Sequence, residues 1–139
     1  MTEGSRQRAR PRLLVVEDEA IVRADLSHTL VELGYEVVAS ATSGEQAVAL
    51  ALESRPDVVL MDVTLCGQMD GVEASEQIHQ TADLPVIFIT AHSDSRTLGR
   101  LNGTPHAGYL LKPFEEHLLV EMLEKMLAHH EAPPPQYRI

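Results

Sequence analysis

One cysteine, Cys66, is all the chain has, so no internal disulfide can staple it and no Cys/His cluster of zinc spacing is present. That thiol follows an apolar run and reads as an inert small residue rather than a reactive one. Long apolar runs are missing too. No stretch approaches the roughly 18 residues of a membrane span, and no charged-then-apolar leader opens the chain. With 139 residues, 44% of them apolar and 23% charged, the composition predicts one globular domain, cytoplasmic and neither secreted nor membrane-bound. Basic residues are scarce, 11 against 21 acids, and four of them (Arg6, Arg8, Arg10, Arg12) crowd the first twelve positions against Glu3 alone. The remainder holds 7 basic and 20 acidic residues, a net −13. Such a body repels phosphate backbones, which excludes nucleic-acid binding by the domain, and it suits a site that gathers divalent cations. The arginines could grip RNA or an acidic partner, but residues 1–11 read as a disordered, solvated tail.

What the chain does have is a set of short, wholly apolar runs that stop on polar residues. Pro56 to Asp62 carries four consecutive apolar residues, Val58 to Met61, and ends on a carboxylate. The run is too short for an ordinary helix and reads as a strand buried on both faces. Leu13 to Val16 is a second such run, ending on Glu17-Asp18-Glu19; Val86 to Ile89 ends on Thr90, and Ala107 to Leu111 ends on Lys112-Pro113. Tyr35 to Ser40 makes a fifth strand.

Helical spacing fills the intervals. Ile21, Val22, Leu26, Leu30 and Leu33 predict a helix closed by Gly34, and Ser43-Gly-Glu-Gln46 has a capping-box pattern before the next. Asp70-Gly71 opens a third helix, with Asp70 as its cap. A fourth, within Ser93 to Asn102, has few apolar anchors and is expected to be short. Phe114 to His130 forms the last, with Leu118, Leu119, Met122, Leu123, Met126 and Leu127 inward. Strands alternating with helices predict a parallel sheet covered on both faces, because parallel neighbours need long crossovers. The ordered body is placed at 12–130, followed by a Pro-rich tail, 131–139. The chain shows no internal repeat, and no effector domain is expected beside this body.

In open α/β sheets, chemistry gathers outside the carboxyl ends of the strands. Those ends carry Glu17, Asp18, Glu19, Asp62, Thr90 and Lys112. Taken singly, Asp62 reads equally as a cap for the next helix, Thr90 as a strand former, and Lys112 as an edge gatekeeper. Three carboxylates in one site repel unless a cation joins them, and an all-oxygen ligand set favours magnesium. A cation, a lysine and a hydroxyl beside a nucleophilic aspartate are what phosphoryl transfer needs.

In this order, Val-Val-Glu17-Asp18-Glu, Leu-Met-Asp62, Met-Asp70-Gly71, Ile-Thr90-Ala91 and Gly-Tyr109-Leu-Leu-Lys112-Pro113-Phe114 strongly resemble the response-regulator receiver domain of two-component signalling, from Leu13 to about His130. The resemblance implies a flavodoxin-like fold with strand order 2-1-3-4-5. It implies Asp62 as phosphoacceptor for a sensor histidine kinase, with magnesium held by Glu17, Asp18, Asp62 and the backbone carbonyl of Thr64. Lys112 would pair with the phosphoryl oxygens, aimed by a cis peptide to Pro113. Thr90, beside Ala91, would supply a switching hydroxyl and Tyr109 a switching ring, although a core aromatic is the simpler reading of Tyr109 alone. Glu19 is read as a helix start.

Two departures from the commonest pattern stand out. The stretch from Asp62 to Gly71 is one residue longer than usual and lacks Met-Pro, with Gly67 in place of the proline turn; this form is similar to receivers found without an output domain. The two positions that tune hydrolysis in the family are Thr64 and His92, and His92 could make phosphoryl lifetime pH-dependent near neutrality. The resulting expectation is a stand-alone receiver, catalytic only toward its own phosphorylation and hydrolysis. Its fourth helix, fifth strand and fifth helix would form the switching face, for partners or a homodimer, with Leu98, Leu101 and Leu118 as candidates, core burial being the simpler reading of Leu118. A phosphorelay shuttle to a histidine phosphotransfer protein and a constitutive binding module are the alternatives. An aspartyl phosphatase is disfavoured because Thr64 stands where its acid/base would be.

Overall fold

The computed structural model describes residues 10–131. Its elements alternate along the chain as β1 (Arg12–Val16), α1 (Ala20–Glu32), β2 (Glu36–Ala41), α2 (Gly44–Ser54), β3 (Val58–Asp62), α3 (Gly71–Thr81), β4 (Val86–Thr90), α4 (Ser95–Asn102), β5 (Ala107–Leu111) and α5 (Glu116–Glu131). All neighbours are parallel and the sheet order is β2-β1-β3-β4-β5, as expected for a flavodoxin-like fold.

The strand period of two divides the core. Leu14, Val16, Val59, Met61, Val86 and Phe88 face one way, onto Ala47 and Ala51 of α2, Val72, Ala74 and Ile78 of α3, and Leu101 of α4. Leu13, Val15, Val58, Leu60, Ile87 and Ile89 face the other, onto Leu30 of α1 and Leu119 and Leu123 of α5. Strands β3 and β4 are buried along their whole length, which is why they are uninterrupted apolar runs. Each fully buried side chain of this size contributes about 1.5–3 kcal/mol.

Several helix details differ from the sequence expectations. Of the helically spaced apolar residues of α1, Ile21 is 84% exposed, lying about 100° around the helix from Val22, and Val22 at its start is 37% exposed, whereas Leu30 is buried. Leu118, with core burial the simpler reading, is 41% exposed, whereas Leu101, expected on a switching surface, is buried under α4. At α2, Ser43 does cap Gln46, but the Gln46 side chain accepts from Thr42 N–H instead of closing the box on Ser43. At α3 the box is complete: Asp70 Oδ1 accepts from Glu73 N–H, and Glu73 Oε1 accepts from Asp70 N–H. Helix α4 is the shortest, at eight residues. The carbonyl of Pro11 already accepts from Glu36 N–H, so β2 ties down the chain before β1 begins. The tail expectations for residues 1–9 and 132–139 lie outside the described residues.

Gly71 positions the site directly. Its N–H donates to Val63 O, and a Cβ there would lie 2.2 Å from the carbonyl oxygen of Asp62. Only glycine lets α3 start this close to the end of β3.

Candidate functional site

Register brings the acids together. Val16 of β1 pairs with Met61 of β3, so Glu17 and Asp62, the next residue on each strand, leave the sheet at one level. Carboxylate oxygens of Glu17, Asp18 and Asp62 all lie within 4.8 Å of one another. Lys112 reaches them from past the end of β5, its own N–H donating to Thr90 O across β4. Its Nζ lies 3.2 Å from Asp62 Oδ2 and 3.4 Å from Glu17 Oε1. The Lys112–Pro113 peptide is cis.

The charges show what the site lacks. Burial, reinforced by Asp62, pushes the Glu17 carboxyl from 4.5 to about 7. A hydrogen bond from the Cys66 thiol holds Asp18 below its usual value. Burial pulls Lys112 down, but the negative charges of Asp62 and Glu17 outweigh it and leave the ammonium above its ordinary pKa. One ammonium cannot balance three carboxylates, so the unmet demand is for further positive charge.

The remaining candidates sit close by in sequence and differ in placement. Thr64 is exposed, and its N–H donates to Asp62 Oδ1 at 3.0 Å. Thr90 is buried at the end of β4, its Oγ1 accepting from His92 N–H at 2.9 Å; Ala91 and His92 are exposed. Tyr109 is half-buried against the α2–α3 side of the core. Glu19 occupies the cap position of α1 without capping it through its side chain, and its N–H donates to Glu17 Oε2.

Sequence reasoning missed four features here. Cys66, read as inert, donates its thiol to Asp18 Oδ2 at 3.0 Å, and that acceptor raises the thiol's own pKa. Arg23 donates from Nη1 to the Glu17 carbonyl at 2.8 Å. Arg100 of α4 pairs at 2.9 Å with Asp70, the cap of α3. A pocket of about 420 Å³ opens between α1 and α5 beside Asp62 and Lys112, lined by Val22, Leu26, Phe114 and Leu119 among others. Only Arg23 left a trace in the sequence: helical side chains lean toward the N-terminus, so an arginine one turn into α1 can reach back to the acids.

A family model for the response regulator receiver domain matches residues 13–124. The chain belongs to the response-regulator receiver family. Among its relatives, the transcriptional regulatory protein PdtaR of Mycobacterium tuberculosis (strain CDC 1551 / Oshkosh) is 38% identical over 81% of this chain and 55% of its own length. The chemotaxis protein CheY of Bacillus subtilis (strain 168) is 34% identical over 84% of this chain and 97% of its own. The chain thus spans about half the length of PdtaR and nearly all of CheY. Among solved structures, the signal receiver domain of a modulated diguanylate cyclase from Desulfovibrio desulfuricans G20 superposes with a TM-score of 0.82 at 36% identity, covering 88% of this chain and 98% of that one.

Receivers generally bind magnesium at an acidic pocket, and this one has the donors for it. Glu17, Asp18 and Asp62 offer oxygen ligands only, and the raised Glu17 carboxyl marks a cluster that a hard cation would relieve. Among the described residues no helix is long and apolar enough to cross a membrane.

Proposed function

We propose that this receiver accepts a phosphoryl group on Asp62 from a sensor histidine kinase and works as a phosphorylation-driven switch. The observation that carries the reading is Lys112 Nζ at 3.2 Å from Asp62 Oδ2, within a cluster of three convergent carboxylates. An Asp62 carboxylate oxygen attacks phosphorus, the bond from phosphorus to the kinase imidazole breaks, and an acyl phosphate forms on the receiver while the imidazole leaves. Lys112 is placed to pair with the phosphoryl oxygens, and Thr64 N–H already holds Asp62 Oδ1, which leaves Oδ2 facing the lysine. A magnesium ion bound by Glu17, Asp18, Asp62 and the Thr64 carbonyl would neutralise phosphoryl charge as it develops. Hydrolysis returns phosphate and the free carboxylate, with Thr64 and His92 flanking the path of the attacking water.

Added charge at Asp62 draws the Thr90 hydroxyl away from His92 N–H, with Tyr109 turning inward, and this biases the face made by α4, β5 and α5. Leu111 and Leu118 are exposed on β5 and α5 and suit a partner or a second copy. A phosphorelay to a histidine phosphotransfer protein would use the same residues. Incubation with acetyl phosphate and magnesium is expected to add one phosphoryl group to wild type and none to Asp62→Asn. Faster hydrogen exchange across α4 in the phosphorylated protein is the expected sign of switching; an α4 exchange rate unchanged by phosphorylation would remove the switching face.

A further inference from the structure

The turn from β1 into α1 has three residues, Glu17 to Glu19, and two of them are the acids of the cation site. Its backbone is pinned at Glu17 from both sides. Glu17 N–H donates to Ala41 O at the end of β2, 3.0 Å away, and the Glu17 carbonyl accepts from Arg23 Nη1 at 2.8 Å. Arg23 is half-buried, and its own N–H donates to Glu19 O, so its backbone is fixed in the first turn of α1. The carbonyl it holds belongs to the peptide plane that joins Glu17 to Asp18. Rotation of that plane would swing one carboxylate away from the other, and the hydrogen bond that Asp18 Oδ2 accepts comes from the exposed thiol of Cys66, a weak donor.

We infer that Arg23 is a positioning residue for the cation site, holding the Glu17–Asp18 peptide so that both carboxylates converge with Asp62. The inference rests on the magnesium-dependent switch proposed above and adds to it a residue outside the ligand set. A guanidinium near a divalent ion has two opposite effects. Its charge repels the ion, whereas its hydrogen bond preorganises the ligands. The sign of the change on removing it therefore tells the two apart.

The experiment is a calorimetric titration of magnesium into wild type, Arg23→Ala and Arg23→Lys, with the magnesium-induced rise in melting temperature as a second readout. Arg23→Ala is expected to bind magnesium about 10-fold more weakly, at the lower end of what partners of metal ligands cost. Arg23→Lys, which keeps a donor and a charge but lacks the planar fork, is expected to recover part of that loss. With acetyl phosphate, the alanine variant is expected to need more magnesium for half-maximal phosphorylation yet to reach nearly the wild-type rate at saturation. An alanine variant that binds magnesium as tightly as wild type, or more tightly, overturns the inference. So does equal loss of rate at saturating magnesium, which would mean general disruption. Wild type that binds no magnesium would overturn the cation site itself, a distinct failure visible before any variant is made. If the alanine variant does not fold, the lysine variant carries the test, and unchanged magnesium affinity there overturns the inference.

Discussion

Replacing Glu17 by glutamine in protein stripped of divalent cations is expected to stabilise it, and more so as pH rises. Burial and the neighbouring Asp62 push the Glu17 carboxyl from 4.5 to about 7. The folded protein therefore holds a proton that the unfolded chain releases between those values. Below about 4.5 both states are protonated and Glu17 costs nothing; through the interval to 7 the cost grows, and above 7 it is complete. At 1.36 kcal/mol for each unit, the displacement is worth about 3 kcal/mol. The Glu17→Gln side chain has one acceptor oxygen where the carboxylate uses two, so it keeps the bond from Lys112 or the bond from Glu19 N–H and loses the other. The pull of the ammonium is already contained in the raised value, and with about 1–2 kcal/mol subtracted for the lost bond a net gain of about 1–2 kcal/mol at pH 8 is expected. For a domain of this size that raises the melting temperature by roughly 3–8 °C. The assay is thermal unfolding of both proteins with chelator at pH 5 and pH 8, read as the difference between them so that other titrating groups cancel. A variant no more stable than wild type at pH 8, or a difference that shrinks from pH 5 to pH 8, would refute the reasoning.

Gly71→Ala is expected to lower the urea midpoint by the equivalent of about 2–3 kcal/mol with an unchanged slope, since the new methyl would collide with the Asp62 carbonyl; an unmoved midpoint would contradict the packing described. Cys66 should alkylate slowly at pH 8, because Asp18 raises its pKa, and faster in Asp18→Asn. Equal alkylation rates in the two proteins would show that the thiol–carboxylate bond does not form in solution.

The sheet was legible because burial leaves no freedom of pattern. Val58 to Met61 and Val86 to Ile89 are covered on both faces, so each is an unbroken apolar run, and each ends where its polar residue closes the strand. The acids and Lys112 were legible for the same reason. Helix faces were harder to read. Ile21 is apolar yet exposed on the flank of its helix, and Leu118, one turn before Met122, fits the inward spacing of α5 yet is exposed, so spacing alone does not say how wide a face the core covers. Contacts carried by single long or flexible side chains left almost no pattern. Cys66 lies 48 residues from Asp18 and Arg100 lies 30 from Asp70, and only the fold brings them together.

The central claim is that Asp62 carries the phosphoryl group as an acyl phosphate, and peptide mapping after treatment with acetyl phosphate and magnesium tests it most directly. The account predicts one modified peptide, spanning Asp62, whose adduct is released by hydroxylamine and is missing from magnesium-free and Asp62→Asn samples. A stable adduct on another residue, or one that persists in Asp62→Asn, would contradict it.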